Sequence, residues 1–331
     1  MPGRRVLVTG VSSYLGTQVA RGLAADPSIE YVAGLDDRPP RSRLDGVEFI
    51  EADIRGGRLR ELLPRSGVDT VIHNKIVRRP GPGMSPRAAH EVNVIGTLEL
   101  VGACERSASV AAIIVRGSAG IYGAEPDAPQ FFTEELSRLY PLRTAFQRDV
   151  GEIESLFGAF ARRNREVVCT MLRYQPAIGP SLDTQITQFL SLPAVPTPLG
   201  FDPRLQLVHE HDAVAATLAA VRRPVRGAVN VAGPGTIGLT RLLRRAGRLA
   251  LPVPAPLFDT VTAASRRLGL ATVSPDLRRL LRYGRAVDTT RLTEEVGFTP
   301  RFSTPDAVED WVRARGGRGL ASAVGELLPG P

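Results

Sequence analysis

The sequence predicts an α/β fold, a doubly wound parallel sheet with a smaller, irregular C-terminal lobe. The first half of the chain alternates short apolar runs with segments of helical spacing. Those runs are apolar throughout, which is typical of parallel strands that are covered on both faces. After residue 175 the alternation loosens, and proline becomes frequent in residues 192–198 and 251–256. Frequent prolines interrupt long helices and strands, so they favour a second lobe of loops and short elements.

The elements of the first half follow in chain order. We predict strands at 5–9, 31–35, 47–50, 70–73, 111–115 and 167–172, and helices at 15–25, 88–105 and 146–162. Residues 1–175 are therefore assigned to the main domain, with parts of 205–235 and 285–292 returning to it. Residues 176–315 form mainly the second lobe, and 316–331 form a flexible tail.

The composition excludes several classes of protein. The 331 residues are 43% hydrophobic and 23% charged, as in a globular protein, and no apolar run is long enough to span a membrane. Two cysteines in apolar segments and a start that leads straight into a strand favour a cytoplasmic protein. Lys75 is the only lysine among 42 basic residues. The densest arginine run, 277–285, has the spacing of an amphipathic surface helix, so we expect neither a nucleic acid nor a membrane as partner.

A loop between the first strand and the first helix has the pattern of a dinucleotide cradle. In Thr9–Gly16, Gly10 permits a tight turn and Gly16 lets the helix approach the strand closely. The helix N-terminus offers free N–H groups to a pyrophosphate. Ser13 replaces the middle glycine of the usual pattern, and its side chain would crowd the phosphates.

An acidic residue follows the second predicted strand. Asp36 lies 20 residues after Gly16, where a carboxylate accepts hydrogen bonds from the adenosine ribose. It repels a 2′-phosphate, so the sequence predicts NAD rather than NADP as cofactor. Arg38 lies close enough in the chain to soften that preference.

Further segments resemble one family. Residues 51–55, 71–73, 93–97, 118–123, 172–173, 179–180, 208–213, 230–233 and 287–300 match its motifs in order. Over most of its length the chain resembles the extended short-chain dehydrogenase/reductases, NAD-dependent sugar epimerases and dehydratases, and in detail an atypical epimerase/dehydratase-like branch without the active-site tyrosine. The resemblance implies a Rossmann-type main domain and a small-molecule substrate such as a nucleotide sugar. It also implies a homodimer paired through the helices after the fourth and fifth strands. Besides the cradle, Asp36 and Arg38, it implies cofactor contacts at Ser12, Tyr14, Leu15, Asp53, Ile54, His73, Asn74 and Lys75.

The chain departs from this family at its catalytic pair. The family keeps a Tyr and a Lys four residues apart, and those positions are Phe146 and Val150 here. In the family the Tyr moves the substrate proton as hydride moves, while the Lys lowers the pKa of the Tyr and binds the nicotinamide ribose. Ser118 retains the family's catalytic Ser/Thr position. Because Lys75 is the only lysine, no register restores the pair.

Four other side chains are candidates to replace the missing pair: Lys75, Tyr122, Tyr140 and Tyr174. Lys75 follows the fourth strand, at the edge where ligands bind, so a catalytic or anion-binding role and a solvated side chain both stay open. Tyr122, Tyr140 and Tyr174 fit packing roles better than that of a displaced base. His73 fits a structural role rather than a catalytic one. His209 and His211 lack further visible ligands, so no metal is expected.

Three functions therefore stay open. One is an NAD-dependent enzyme with reassigned acid/base groups, which Ser118 and the cradle favour. Another is a non-catalytic NAD(H)-binding sensor or assembly partner, which Phe146 and Val150 favour. An interaction protein that has also lost the cofactor is supported only by Ser13.

Overall fold

The computed structural model describes residues 3–78, 80–81, 83–192, 194–254, 257–258, 260 and 273–315. The flexible tail predicted at 316–331 lies outside these residues. The described strands are β1 Arg4–Thr9, β2 Ile29–Asp36, β3 Glu48–Glu51, β4 Thr70–His73, β5 Ala112–Ser118, β6 Val168–Tyr174, β7 Ala177–Ile178, β8 Ala194–Pro198, β9 Arg204–Leu205, β10 Val208–His209, β11 Gly227–Val231, β12 Ile237–Gly238 and β13 Leu249–Val253.

The described α-helices surround these strands. They are α1 Tyr14–Ala24, α2 Arg58–Ser66, α3 Pro86–His90, α4 Gly96–Glu105, α5 Ala145–Arg163, α6 Gln185–Phe189, α7 Glu210–Arg222, α8 Leu239–Arg245, α9 Pro275–Tyr283, α10 Thr290–Glu294 and α11 Thr304–Ala314. A π-helical turn, Glu91–Ile95, joins α3 to α4, and 3₁₀ turns lie at Ala119–Tyr122 and Glu134–Arg138.

Seven parallel strands form the central sheet in the order β11-β6-β5-β4-β1-β2-β3. Alternate residues of β1 face opposite layers: Val6 and Val8 pack with α1 and α7, and Leu7 packs with α2, α4 and α5. This two-sided burial explains why the strands are apolar throughout. The predicted α/β fold with a doubly wound parallel sheet is confirmed, and the predicted helix at 88–105 is broken by the π turn.

A second hydrophobic core lies among the elements after β6. Buried side chains of α6, α8, α9 and α11 pack together there, including Phe189, Leu243, Leu280 and Trp311. The proline-rich segments do not stay irregular, because β8 and β13 pair in parallel with Ala194 opposite Leu249. Helix α9 contacts β8 and β9 and lines the pocket described below, together with the ends of β5 and β6.

Candidate functional site

The order of the central sheet reverses between β1 and β4. The carboxyl ends of these two strands, Thr9 and His73, are paired neighbours. In open parallel sheets ligands bind outside such a switch point, because the loops that follow the two strands diverge to opposite faces. The cradle loop after β1 and the Asn74–Lys75 segment after β4 meet at this point.

Two glycines make the cradle loop possible. Gly10 has φ +70°, and a Cβ there would lie 2.7 Å from the backbone nitrogen of Lys75. A Cβ at Gly16 would collide with the carbonyl oxygen of Gly10. Both positions therefore require glycine, one for backbone conformation and close approach and the other for helix–strand packing.

Ser13, which replaces the expected middle glycine, is the N-cap of α1. Its hydroxyl accepts a hydrogen bond from the Gly16 N–H at 3.1 Å and donates to the Gly10 carbonyl at 2.9 Å. The Asn74 side chain also donates to the Ser13 hydroxyl at 3.0 Å. The hydroxyl is thus directed into the loop.

The N-terminus of α1 keeps two donors for a ligand. Within the described chain, no hydrogen bond engages the backbone N–H groups of Tyr14 and Leu15. Ser13 and Leu15 line the pocket beside them. Two free N–H groups at the positive end of an 11-residue helix fit a phosphate group.

Asp36, at the end of β2, is buried and already bound. One carboxylate oxygen accepts the Ser12 N–H at 2.9 Å, and the other accepts the Asp37 N–H at 2.9 Å and the Lys75 ammonium. Lys75 also pairs with Asp37 at 2.8 Å. Burial alone would raise the pKa of Asp37, but its hydrogen bond from Lys75 holds that pKa below the ordinary value. Lys75 therefore lies across the carboxylate predicted to hold a ribose.

The other residues predicted around the adenosine lie at the same edge. Arg38 lines the pocket, and its carbonyl accepts the Ser12 hydroxyl at 2.6 Å. Asp53 is paired with Arg55 at 2.6 Å, which lowers the pKa of that carboxyl, and Ile54 is buried. The Tyr14 hydroxyl donates to Glu210 at 3.1 Å, so its side chain ties α1 to α7.

His73 and Asn74 hold the loops together. His73 is fully buried between the hydroxyls of Thr9, at 2.9 Å, and Thr97, at 3.0 Å. Burial lowers the pKa of His73 to about 3, so the imidazole is neutral and both of its nitrogens are bonded. The Asn74 amide donates to the Gly10 carbonyl at 3.2 Å. Through these contacts the end of β4 fixes the shape of the cradle.

A pocket of about 580 Å³ extends from the cradle across the ends of β5 and β6 to α9. Ser118 and Phe146 both line it, and they flank Gly120. The Phe146 ring faces the Arg78 guanidinium, whose carbon lies 5.5 Å from the ring centroid. Val150 is 2% exposed and lies in an apolar cluster with Phe132 and Tyr122. The structure therefore brings Ser118 and Phe146 together, and it places no polar group at the two positions of the missing pair.

The four candidate substitutes, Lys75, Tyr122, Tyr140 and Tyr174, bind other groups. The Tyr122 hydroxyl donates to Asn230 at 2.6 Å, and the Tyr174 hydroxyl contacts Thr217 at 2.7 Å. Burial raises the pKa of each of these tyrosines to about 12. The Tyr140 hydroxyl donates to the Asp127 carbonyl at 2.9 Å. The Lys75 ammonium is held at Asp36 and Asp37, away from the pocket lining.

The remaining histidines do not assemble a metal centre. His209 bonds Asp310 at 3.1 Å and stacks on Phe302. In the part of the chain that the structure describes, no group of three or more His, Cys, Asp or Glu side chains is placed to hold a metal ion. Within the same part, no helix has the length and apolar character of a membrane span.

Comparison with known proteins identifies the family. Residues 6–232, more than half of the chain, match the NAD dependent epimerase/dehydratase family. The chain belongs to this family. Its relatives include an uncharacterized protein of Mycobacterium tuberculosis, 34% identical over 315 residues that cover 94% of this chain and 84% of the relative.

Solved structures of the family share the fold. A UDP-N-acetylglucosamine 4-epimerase of Methanobrevibacter ruminantium, in complex with UDP-N-acetylmuramic acid, aligns with a TM-score of 0.73 at 17% identity, covering 95% of this chain and 99% of that one. A UDP-glucose 4-epimerase of Stenotrophomonas maltophila, with bound NAD and formylated UDP-arabinopyranose, gives 0.73 at 18% identity, covering 98% and 100%. These alignments show the shared fold, and the family match over residues 6–232 confirms the family predicted from the motifs.

Sequence reasoning missed three arginines of the pocket as functional candidates: Arg78, Arg116 and Arg285. One signal was present for Arg116. It interrupts the apolar run of β5 two residues before Ser118, at the strand end where ligands bind. No comparable signal marks Arg285, since only the fold brings it to the pocket.

Proposed function

We propose that this protein binds NAD(H) in its cradle and a nucleotide-sugar-like ligand in the adjoining pocket, without the Tyr–Lys proton transfer of its family. One observation carries the proposal. The pocket joins Ser13, Leu15 and Arg38 at the cradle to Ser118 and Phe146. Cofactor and ligand would thus meet beside a retained serine and a phenyl ring.

The residues of the cradle fit a dinucleotide. The free N–H groups of Tyr14 and Leu15 would hold the diphosphate, and Asp36 would accept a ribose hydroxyl once Lys75 shares or releases it. The bound nicotinamide would supply a hydride acceptor or donor. The solved structures with NAD and with UDP-sugars support this assignment through the shared fold.

The residues around the reacting position argue against the family's standard proton transfer. Phe146 cannot take a proton, and Val150 cannot lower the pKa of a neighbour or bind a ribose. Loss of general acid–base catalysis typically lowers a rate by about 10²–10⁴-fold. A bound NAD(H) would then serve as a sensed or structural ligand.

A second candidate is an enzyme that uses other acid/base groups. Ser118 favours it, because the side chain lines the pocket and is 5% exposed. Its hydroxyl oxygen accepts the Gly120 N–H at 3.1 Å, so its own O–H remains to bond a substrate oxygen.

We also propose that the protein forms a homodimer. Ile95 and Leu98 are 40% and 46% exposed on the π turn and α4. These apolar side chains lie on the helix after β4, which the resemblance assigns to a dimer interface. A second copy would cover them.

Turnover and binding together test the proposal. Wild-type protein is mixed with NAD⁺ and UDP-glucose, and absorbance of the reduced nicotinamide is followed while bound ligand is measured by dialysis. We expect binding of NAD⁺ without reduction.

The double variant Phe146→Tyr, Val150→Lys should bind NAD⁺ about tenfold more tightly through a restored ribose contact. Phe146→Leu, Val150→Met is the matched control.

The opposite result would favour the second candidate. Wild-type protein that reduces NAD⁺ in the presence of UDP-glucose, and that loses this activity in Ser118→Ala, would show that other groups transfer the proton. Unchanged NAD⁺ affinity in a folded double variant would contradict the assignment of Phe146 and Val150 to the catalytic positions.

A further inference from the structure

The pocket carries an excess of positive charge. The lining residues that carry charge at neutral pH are four arginines, Arg38, Arg78, Arg116 and Arg285, and two aspartates, Asp183 and Asp276. Arg38 belongs to the cradle end and Asp183 is exposed and bonded to Gln188 at 3.0 Å. Around Ser118 and Phe146, three guanidinium groups therefore face one carboxylate, Asp276.

These three arginines lack ion-pair partners in the described part of the chain. The recorded polar contact of Arg116 is a long one, 3.5 Å to the Asn74 side-chain oxygen. Arg78 packs on the Phe146 ring. Arg285 donates to the Gly123 carbonyl at 3.1 Å and to Gln175 at 3.3 Å, both uncharged. Asp276 itself is bonded by the Thr144 hydroxyl at 2.5 Å.

All three arginines line one pocket, and Arg78 lies close enough to the other two for its charge to lower both of their pKa values. Burial, with a smaller contribution from the charge of Arg78, lowers the pKa of Arg285 to about 9. Burial likewise lowers the pKa of Arg116, with Arg78 again adding to the effect. All three guanidinium groups still carry their charge at neutral pH. Arg285 is 7% exposed and Arg116 is half-buried, whereas Arg78 lies exposed at the rim of the pocket. The charges of Arg116 and Arg285 are thus partly removed from water, which destabilises a protein unless an anion joins them.

We propose that Arg78, Arg116 and Arg285 form a binding site for a doubly charged phosphate or diphosphate group at the Ser118–Phe146 end of the pocket. Counting Asp276, two positive charges remain, which one such group neutralises. Guanidinium groups present planar pairs of donors that match phosphate oxygens. The Ser118 O–H is a further donor at this end of the pocket.

In this phosphate site Phe146 would hold the side chain of Arg78 in place. The Arg78 guanidinium and the phenyl ring contact each other, and the ring holds the cation while leaving its N–H groups to a ligand. A tyrosine hydroxyl at this position would compete for the same guanidinium. The site deepens the proposed function, since it names the chemistry of the second ligand, but it does not depend on dinucleotide binding.

Inorganic pyrophosphate is the probe. The full-length protein is titrated with pyrophosphate by calorimetry at low ionic strength, where electrostatic binding is strongest. Arg78→Met and Arg116→Met should each weaken binding about tenfold, because each removes charge-assisted hydrogen bonds. Arg43→Met is the matched control, because Arg43 is 94% exposed with a distant partner at 3.7 Å, and its affinity should equal that of wild type.

Thermal unfolding shows whether a variant that does not bind pyrophosphate is still folded. Without ligand, Arg116→Met should raise the Tm by about 2 °C, because it removes a repelling charge from the pocket. Pyrophosphate should raise the Tm of wild type more than that of either pocket variant.

The outcomes separate the alternatives. Pyrophosphate that binds equally well to wild type and to the double variant Arg78→Met, Arg116→Met would occupy the N-terminus of α1 and would overturn the site. Absence of binding to wild type would overturn it as well. Pyrophosphate binding without NAD⁺ binding would support this site while contradicting the proposed cofactor. NAD⁺ binding without pyrophosphate binding would contradict this site and support the proposed cofactor.

Discussion

Lys75 binds Asp36, the carboxylate that we propose as the acceptor for a ribose. Its ammonium bonds Asp36 and Asp37, and its side chain is 16% exposed. Asp36 is 3% exposed and already accepts two backbone N–H groups, so little of the carboxylate is left for a ribose. The lysine also neutralises negative charge that would repel a 2′-phosphate. We therefore expect this one residue to weaken both the affinity for NAD and the discrimination against NADP.

Replacing Lys75 by Met should tighten NAD⁺ binding about tenfold, because Asp36 is then free to accept the ribose hydroxyls. The preference for NAD⁺ over NADP⁺ should increase as well. Fluorescence titration with both dinucleotides measures the two effects. Lys75→Arg keeps the cation and should behave as wild type. Weaker NAD⁺ binding in Lys75→Met would show that the lysine contacts the cofactor.

At the scale of the elements, a buried chain of side chains joins β1, β4 and α4. The Thr9 hydroxyl donates to one nitrogen of His73, and the other nitrogen donates to Thr97, whose own hydroxyl donates to the Asn93 carbonyl at 2.6 Å. The bonds require a neutral imidazole. In the unfolded chain the same histidine gains a proton below a pKa of about 6.5.

Stability should therefore fall as the pH falls below about 6.5. Between that value and the folded-state pKa of about 3, the unfolded state binds one proton more, which destabilises the fold by about 1.4 kcal/mol per pH unit. Urea unfolding of wild type and His73→Gln at about pH 7, 6 and 5 isolates this contribution. The variant should lose less stability over this range, and parallel profiles would refute the neutral buried histidine.

The positions of regular elements could be predicted to within about three residues where periodicity was strong. The first five strands and α5 follow from apolar runs and from the 3.6-residue period. The π turn at Glu91–Ile95 has no signal in the periodicity, since its extra residue is set by packing against α5 and by Asn93 bonding Val77 at 2.7 Å and Asp149 at 2.9 Å. The ladder of β8 with β13 joins segments distant in sequence, which local patterns do not report.

For the whole molecule, the motif order was enough to predict the fold and the family. The positions of Gly10, Gly16, Ser118 and Phe146 at one edge follow from the parallel sheet alone. The contact of Lys75 with Asp36 could not be predicted, because it depends on the path of a long side chain between two loops. The approach of Arg285 to Arg78 and Arg116 could not be predicted either, because it depends on the path of the chain as it returns from the second lobe.

The proposed homodimer gives a prediction at the same scale. Leu98→Asp should convert a dimer to a monomer, because it places a charge in the apolar contact between two copies of α4. Light scattering after size exclusion measures the mass. Leu139→Asp is the control, because Leu139 is 49% exposed at the end of the 3₁₀ turn Glu134–Arg138. A wild-type monomer, or a variant that stays dimeric, would contradict the α4 interface.

The central claim is that the cradle binds a dinucleotide although the catalytic pair is absent. Calorimetric titration of the purified protein with NAD⁺, after removal of any nucleotide that co-purifies, tests it most directly. We expect a Kd of roughly micromolar size, about −8 kcal/mol, weakened about tenfold by Asp36→Ala through loss of the ribose acceptor. Folded wild-type protein that binds none of NAD⁺, NADH and NADPH would contradict the claim.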